Sequence, residues 1–149
     1  MGLQMEHMVD VVVCVTDFNF ILMYSRMSSD HIHFFLQLRN QLKLYHWQTR
    51  VYARHVAVDN ILDELDKRID SFVEIYIGKY GRPKLTGEKT AIRVYNMTEA
   101  GASRFVKAAI RYMQGTLSKS LHASDTDLVN IRDELLGQLD QLQYLFTLH

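Results

Sequence analysis

One proline, Pro83, and seven glycines are all that break up a chain of 149 residues. These are the residues that stop helices and build tight turns, and a sandwich or barrel needs more of them. Long helices are therefore the default. Hydrophobic residues make up 48% of the sequence, enough for a real core, and the length suits one domain.

Periodicity agrees from Asp30 onward. Phe35, Leu38, Leu42 and Tyr45 recur at spacings of three and four, the mark of one buried helical face. A second helix is expected from about Tyr52 to Gly78, with Val58, Ile61, Leu62, Leu65, Ile69, Phe72 and Val73 on its apolar face. Gly78, Gly81 and Pro83 end it, and residues 79–97 read as a loop. A third helix starts near Thr98 and buries Phe105, Val106, Ala109, Tyr112, Met113, Leu117 and Leu121. Ser124 and Asp127 have the spacing of a capping box. The last helix carries Leu128, Ile131, Leu135, Leu139, Leu142 and Phe146. The fold expected is all-α, an antiparallel four-helix bundle over residues 28–149, with a longer connection between the second and third helices.

Residues 1–27 differ. Val9 to Val15 is β-branched and apolar, and Ser28-Ser29-Asp30 makes a helix-start cluster right after Met27. The segment reads as an N-terminal arm, or as an extension upstream of a true start at Met27. Met1, Met5, Met8 and His7 have the types of a copper site but fit an ordinary N-terminus better. The apolar stretch Val9 to Tyr24 is broken by Asp10, Asp17 and Asn19, too short for a membrane span. With no basic residue before it, the stretch also makes a poor signal peptide. A cytoplasmic chain with no membrane partner is expected.

Lys plus Arg and Asp plus Glu are 17 each, so the formal net charge is zero, which argues against a protein held to nucleic acid by bulk charge. Cys14 is the only cysteine, which rules out an internal disulfide and a cysteine zinc site. Walker loops, Gly-x-Gly-x-x-Gly, His-Glu-x-x-His and the Glu-x-x-His of di-iron bundles are all absent.

The informative residues are His46, His55, Asp59, Asp70 and Glu74. On a wheel of about 100° per residue with His55 at 0°, Asp59 falls near 40°, Asp70 near 60° and Glu74 near 100°. The apolar face lies apart from this stripe, at roughly 240–360°. A solvated face explains Asp63 and Glu64, which have Lys67 and Arg68 four residues on. Asp59, Asp70 and Glu74 have no such partners. Imidazole with carboxylates suits iron, manganese or zinc. Yet the pairs His55/Asp59 and Asp70/Glu74 lie about 22 Å apart along one helix. They meet only if a second copy of the helix lies antiparallel to the first, as in a two-fold dimer.

Leu44-Tyr45-His46-Trp47, His55-x-x-x-Asp59 and Asp70-x-x-x-Glu74 together resemble the motifs of the Dps-like mini-ferritins, over about residues 30–149. The resemblance implies a ferritin-like bundle and a homo-oligomer, in that family a twelve-subunit cage. It also implies a ferroxidase centre between subunits. His46, His55 and Asp59 of one copy would face Asp70 and Glu74 of another, with Trp47 nearby, and Fe²⁺ would be oxidised there by peroxide or dioxygen for iron detoxification and storage. Three features depart from the family, one of them the loop at 79–97, which is shorter than the family's and puts the twelve-subunit cage in question. His46 and His55 are nine residues apart where twelve is usual, which puts the reach of His46 in question. Residues 1–25 hold no Lys or Arg, which argues against DNA binding through a basic tail. The chain is also similar to ferritin-like proteins carried by large viruses, which implies host cytoplasm or virion as its place. The alternatives are a structural or interaction protein, such as a virion component, and a plain bundle with solvated acids.

Overall fold

The computed structural model describes residues 29–148; the expected arm, Met27, Cys14 and the copper-type residues lie outside them. Among the described residues there are four long helices and no strand. α1 covers residues 29–48, and α2 covers Tyr52–Tyr80. The third helix starts as α3, Glu99–Tyr112, widens into a π turn over Met113–Leu117 and closes with Ser118–Ser120. α4 is Thr126–Leu145. A short 3₁₀ turn, Gly87–Thr90, is the one helical piece of the link between α2 and α3.

The helix ends follow local chemistry. Gly78 stays within α2, which runs two residues further than its glycine predicts. Gly81 stops it with φ 86°, a left-handed angle that suits glycine, and its N–H bonds the Ile77 carbonyl at 2.9 Å. Thr98 caps α3, its hydroxyl accepting from the Gly101 N–H at 3.0 Å. The expected Ser124/Asp127 capping box does not form. Asp125 sits at the cap position of α4 without capping it, because its carboxylate is taken up elsewhere. It accepts from the Tyr80 hydroxyl at 2.6 Å, Lys79 at 3.1 Å and the His122 N–H at 3.0 Å. Burial alone would raise this carboxyl; those donors outweigh it and hold it below the usual range.

Packing fixes the arrangement. α1 meets α2 through Phe35 on Phe72 (ring centroids 5.3 Å) and α3 through Phe34 stacked on Tyr112 (3.9 Å). α4 packs against both α2 and α3. Each adjacent pair is antiparallel, as the sequence leads one to expect, and α2 and α3 stand on the diagonal. The link 81–98 must therefore travel the length of the bundle. It runs over α1, held by His33 to the Ala91 carbonyl, by Gln41 to Tyr95 and by Gln48 to Asn96. The core is one cluster of apolar side chains, with Leu42, Val58, Leu65, Val106, Leu117, Leu128, Leu135, Leu139 and Leu142 fully buried. Each such side chain contributes about 1.5–3 kcal/mol through burial. Ile69, Val73 and Ile131 of the expected faces are half-buried. No helix among the described residues is long and apolar enough to cross a membrane.

Polar groups hold the two ends of the bundle. At one end, Glu99 takes the hydroxyls of Tyr45 and Thr49 (2.8 Å from Thr49) and the charge of Arg54. Arg54 also donates to the carbonyls of Glu99 and Phe146, both at 2.8 Å, which pins the last turn of α4. At the other end His31 is buried between Tyr112 (2.8 Å) and Ser120 (2.7 Å).

Candidate functional site

Only three residues, 49–51, join α1 to α2. That tightness decides where His46 goes. His46 lies in the last turn of α1 and His55 in the first turn of α2, and their rings stack with centroids 4.0 Å apart and 22° between planes. His46 therefore reaches His55 in spite of the shortened turn. The contact is reciprocal: His46 Nδ1 bonds the His55 carbonyl at 3.1 Å, and His55 Nδ1 bonds the His46 carbonyl at 2.9 Å. The His46 carbonyl is one of the last four of α1, which have no partner within their own helix, so the second bond satisfies a helix end.

A carbonyl can only accept, so each Nδ1 carries the proton. In the neutral ring each Nε2 then keeps its lone pair. Imidazoles that bind metals are commonly oriented in this way, by a backbone carbonyl on the other nitrogen. His46 Nε2 lies 3.4 Å from Asp59 Oδ1, a spacing that fits two donors each about 2.1 Å from one ion. His46 is buried (6% exposed), while the Asp59 side chain is 59% exposed.

Other residues compete for this corner. Lys43 Nζ is 3.9 Å from the same Asp59 oxygen, and it also sits over the Trp47 ring, 5.7 Å from its centroid. Trp47 is 68% exposed, so it packs in no core. The sequence reading missed Lys43; its place one helical turn before Trp47 was the available signal.

Asp70 and Glu74 stand apart from the histidines, both exposed on α2. Neither has a hydrogen-bond or ion-pair partner among the described residues. Asp70 lines a groove of about 510 Å³ between α1 and α2, floored by Ile32, Phe35, Ile69 and Val73 and rimmed by Arg39, Asp66 and Lys67. Asp66, on the same stripe, is tied to Arg39 of α1 at 2.5 Å. Neither expected i,i+4 pair forms: Glu64 pairs with Lys67, three residues on, at 2.7 Å, Asp63 has no ion pair among the described residues, and Arg68 turns to Glu134 of α4 at 2.8 Å. One copy thus brings His46, His55 and Asp59 together and leaves Asp70 and Glu74 elsewhere. Among the described residues no group of three or more His, Cys, Asp or Glu is placed to hold a metal ion by itself.

Comparison with known proteins gives a family and no activity. Residues 46–146 match DUF5856, described as a family of unknown function. An uncharacterised 14.6 kDa protein from the mobD-ri intergenic region of enterobacteria phage T4 is 30% identical over 106 residues, which are 69% of this chain and 74% of the phage protein. No solved structure matches.

Proposed function

We infer the role from the chain's own residues, because the chain belongs to the DUF5856 family and the function of that family is unknown. The reading they support best is a ferritin-like bundle that binds Fe²⁺ and oxidises it at a site completed between two copies. The observation that carries it is the reciprocal bonding of His46 and His55, which leaves each Nε2 its lone pair, that of His46 3.4 Å from Asp59. Asp70 and Glu74, unpaired and one α2 half away, would supply the hard oxygen donors that favour the ferric product. A second α2 lying antiparallel over the α1/α2 groove would bring them across. The lengthwise link between diagonal helices supports the same fold, since ferritin-like bundles carry one long crossover.

The chemistry balances with peroxide as oxidant. Two Fe²⁺ ions give up one electron each, and hydrogen peroxide takes both with two protons to leave two waters. The protein's part is to hold the ions and exclude side reactions. Zinc and manganese suit the same donors and compete for the site.

The test is an anaerobic Fe²⁺ titration with the mass measured by light scattering in the same sample. Saturable binding of one or two irons per subunit in a closed oligomer, then fast oxidation on adding peroxide, is the expected result. Asp70→Ala/Glu74→Ala abolishes the fast phase and leaves the helical content intact. Equal oxidation by that variant and the parent would sink the assignment.

A second reading has one observation in its favour. The Lys43 ammonium already answers Asp59, so the corner can serve as a purely structural contact between α1 and α2. The protein would then be a structural or interaction component on a helical scaffold. In that case Fe²⁺ does not bind stoichiometrically.

A further inference from the structure

The chain ahead of α1 carries an apolar run. Phe18-Asn19-Phe20-Ile21-Leu22-Met23-Tyr24 has six apolar residues in seven and no charge. Asp17 precedes it and Arg26 follows it. The run ends five residues before Ser29, the first residue of α1. Water is a poor solvent for such a run, which gains stability against an apolar surface.

Two grooves flank the first half of α1. The one against α2 has a volume of about 510 Å³ and is floored by Ile32, Phe35, Ile69 and Val73, with Leu36, 37% exposed, on its side. The one against α3 has about 250 Å³, and two of its walls, Phe34 and Tyr112, already stack on each other. In the larger groove Phe35 meets Phe72 and Arg39 meets Asp66. Ile32 and Val73 therefore stand at the end where α1 begins, and Arg39, Asp66 and Lys67 stand at the other. Asp70 on the rim and Glu74 beside Val73 are exposed and have no ion-pair partner among the described residues.

We propose that the run Phe18–Tyr24 docks in the α1/α2 groove of its own chain. The link between them is short. Five residues span at most about 17 Å, and Ile32 lies only about 4.5 Å along the helix axis from Ser29. Tyr24 therefore enters beside Ile32 and Val73, and Phe18 lies toward Arg39. That direction matches the flanking charges. Asp17 falls at the end that holds Arg39 and Lys67, and Arg26 falls near Asp70 and Glu74. A second copy of the chain meets the same groove at a disadvantage, because a short tether gives the run an effective concentration in the millimolar range. The docked run covers Asp70 and stands where the proposed function brings a second α2, so two copies pair there only after it leaves. The docking itself does not depend on iron.

The test is photocrosslinking in the full chain. Cys14 is the only cysteine, so Cys14→Ser/Asn19→Cys leaves one thiol, inside the run, to carry a benzophenone maleimide. Cys14→Ser/Leu36→Cys places the same probe on the groove. Benzophenone inserts into C–H bonds within contact distance, and peptide mapping locates them. A mixture of isotope-labelled and unlabelled chains separates insertion within a chain from insertion between chains. Docking predicts insertion within one chain, from the first probe into residues 32–39 or 66–73 and from the second into residues 18–24. Adding Phe20→Asp/Leu22→Asp to either lowers the yield at least tenfold, since two apolar side chains lose their burial. Circular dichroism melts check folding, and the two probe sites are far enough apart that one decides where the other fails to fold. Insertion into residues 105–112 overturns the proposal and puts the run in the α1/α3 groove. Insertion between chains overturns it and gives the groove to a second copy. Scattered insertion, or an equal yield from the double variant, overturns it as well. Fe²⁺ binding, or its failure, moves none of these readouts.

Discussion

Acidification from pH 7 to pH 4.5 removes stability through one buried imidazole. His31 is 3% exposed and holds a fixed set of bonds. Ser120 donates to the Leu117 carbonyl at 2.6 Å, so its oxygen accepts from His31 Nε2. His31 Nδ1 then accepts from Tyr112, and no site is left for a second proton. Burial pushes the His31 pKa down from 6.5 to about 4, with Asp30 pulling weakly the other way. The unfolded chain takes up this proton below pH 6.5 and the folded chain only near 4. The stability is complete above 6.5 and falls away between 6.5 and 4. The full loss is about 3 kcal/mol, and between about 2 and 3 kcal/mol at pH 4.5. His31→Gln isolates it: the amide can accept from Tyr112 and donate to Ser120, yet does not titrate. Urea unfolding followed by circular dichroism at pH 7, 6, 5 and 4.5 compares the two proteins. Other acids, including Asp125 and Glu99, titrate in both and cancel. Parallel stability curves, within about 0.5 kcal/mol across this range, would refute the reasoning.

Three further outcomes are expected. Asp125→Ala removes the carboxylate that accepts from Tyr80, Lys79 and the His122 N–H and costs roughly 1–3 kcal/mol in chemical denaturation. Phe72→Ala empties the contact between α1 and α2 and costs about 3–5 kcal/mol, read by the same assay. Lys43→Ala removes an ammonium 3.9 Å from Asp59 and tightens Fe²⁺, Mn²⁺ or Zn²⁺ binding about threefold to tenfold in calorimetric titration; unchanged affinity would mean that Asp59 is not a ligand.

Much of the fold is legible in the sequence because helix formation and burial are local and periodic. Phe35, Leu38, Leu42 and Tyr45 announce one face of α1 by spacing alone, and all four are buried. Thr98 marks the start of α3 for a reason carried by its own hydroxyl. The cap of α4 is misread because Asp125 answers to Tyr80 and Lys79, 45 and 46 residues away in sequence. The same holds for the candidate site. Nothing local says that His46 and His55 exchange bonds, since that depends on the angle at which α1 meets α2.

By itself, then, the sequence determined the helical class, the four apolar faces and the rise of α2 that separates His55/Asp59 from Asp70/Glu74. Composition and helical period suffice for these. Tertiary structure alone decided two things: the diagonal placement of α2 and α3, and the tautomers of His46 and His55. Each depends on which atoms of distant segments come within a few ångströms, and hydrogen bonds and charges act at that range.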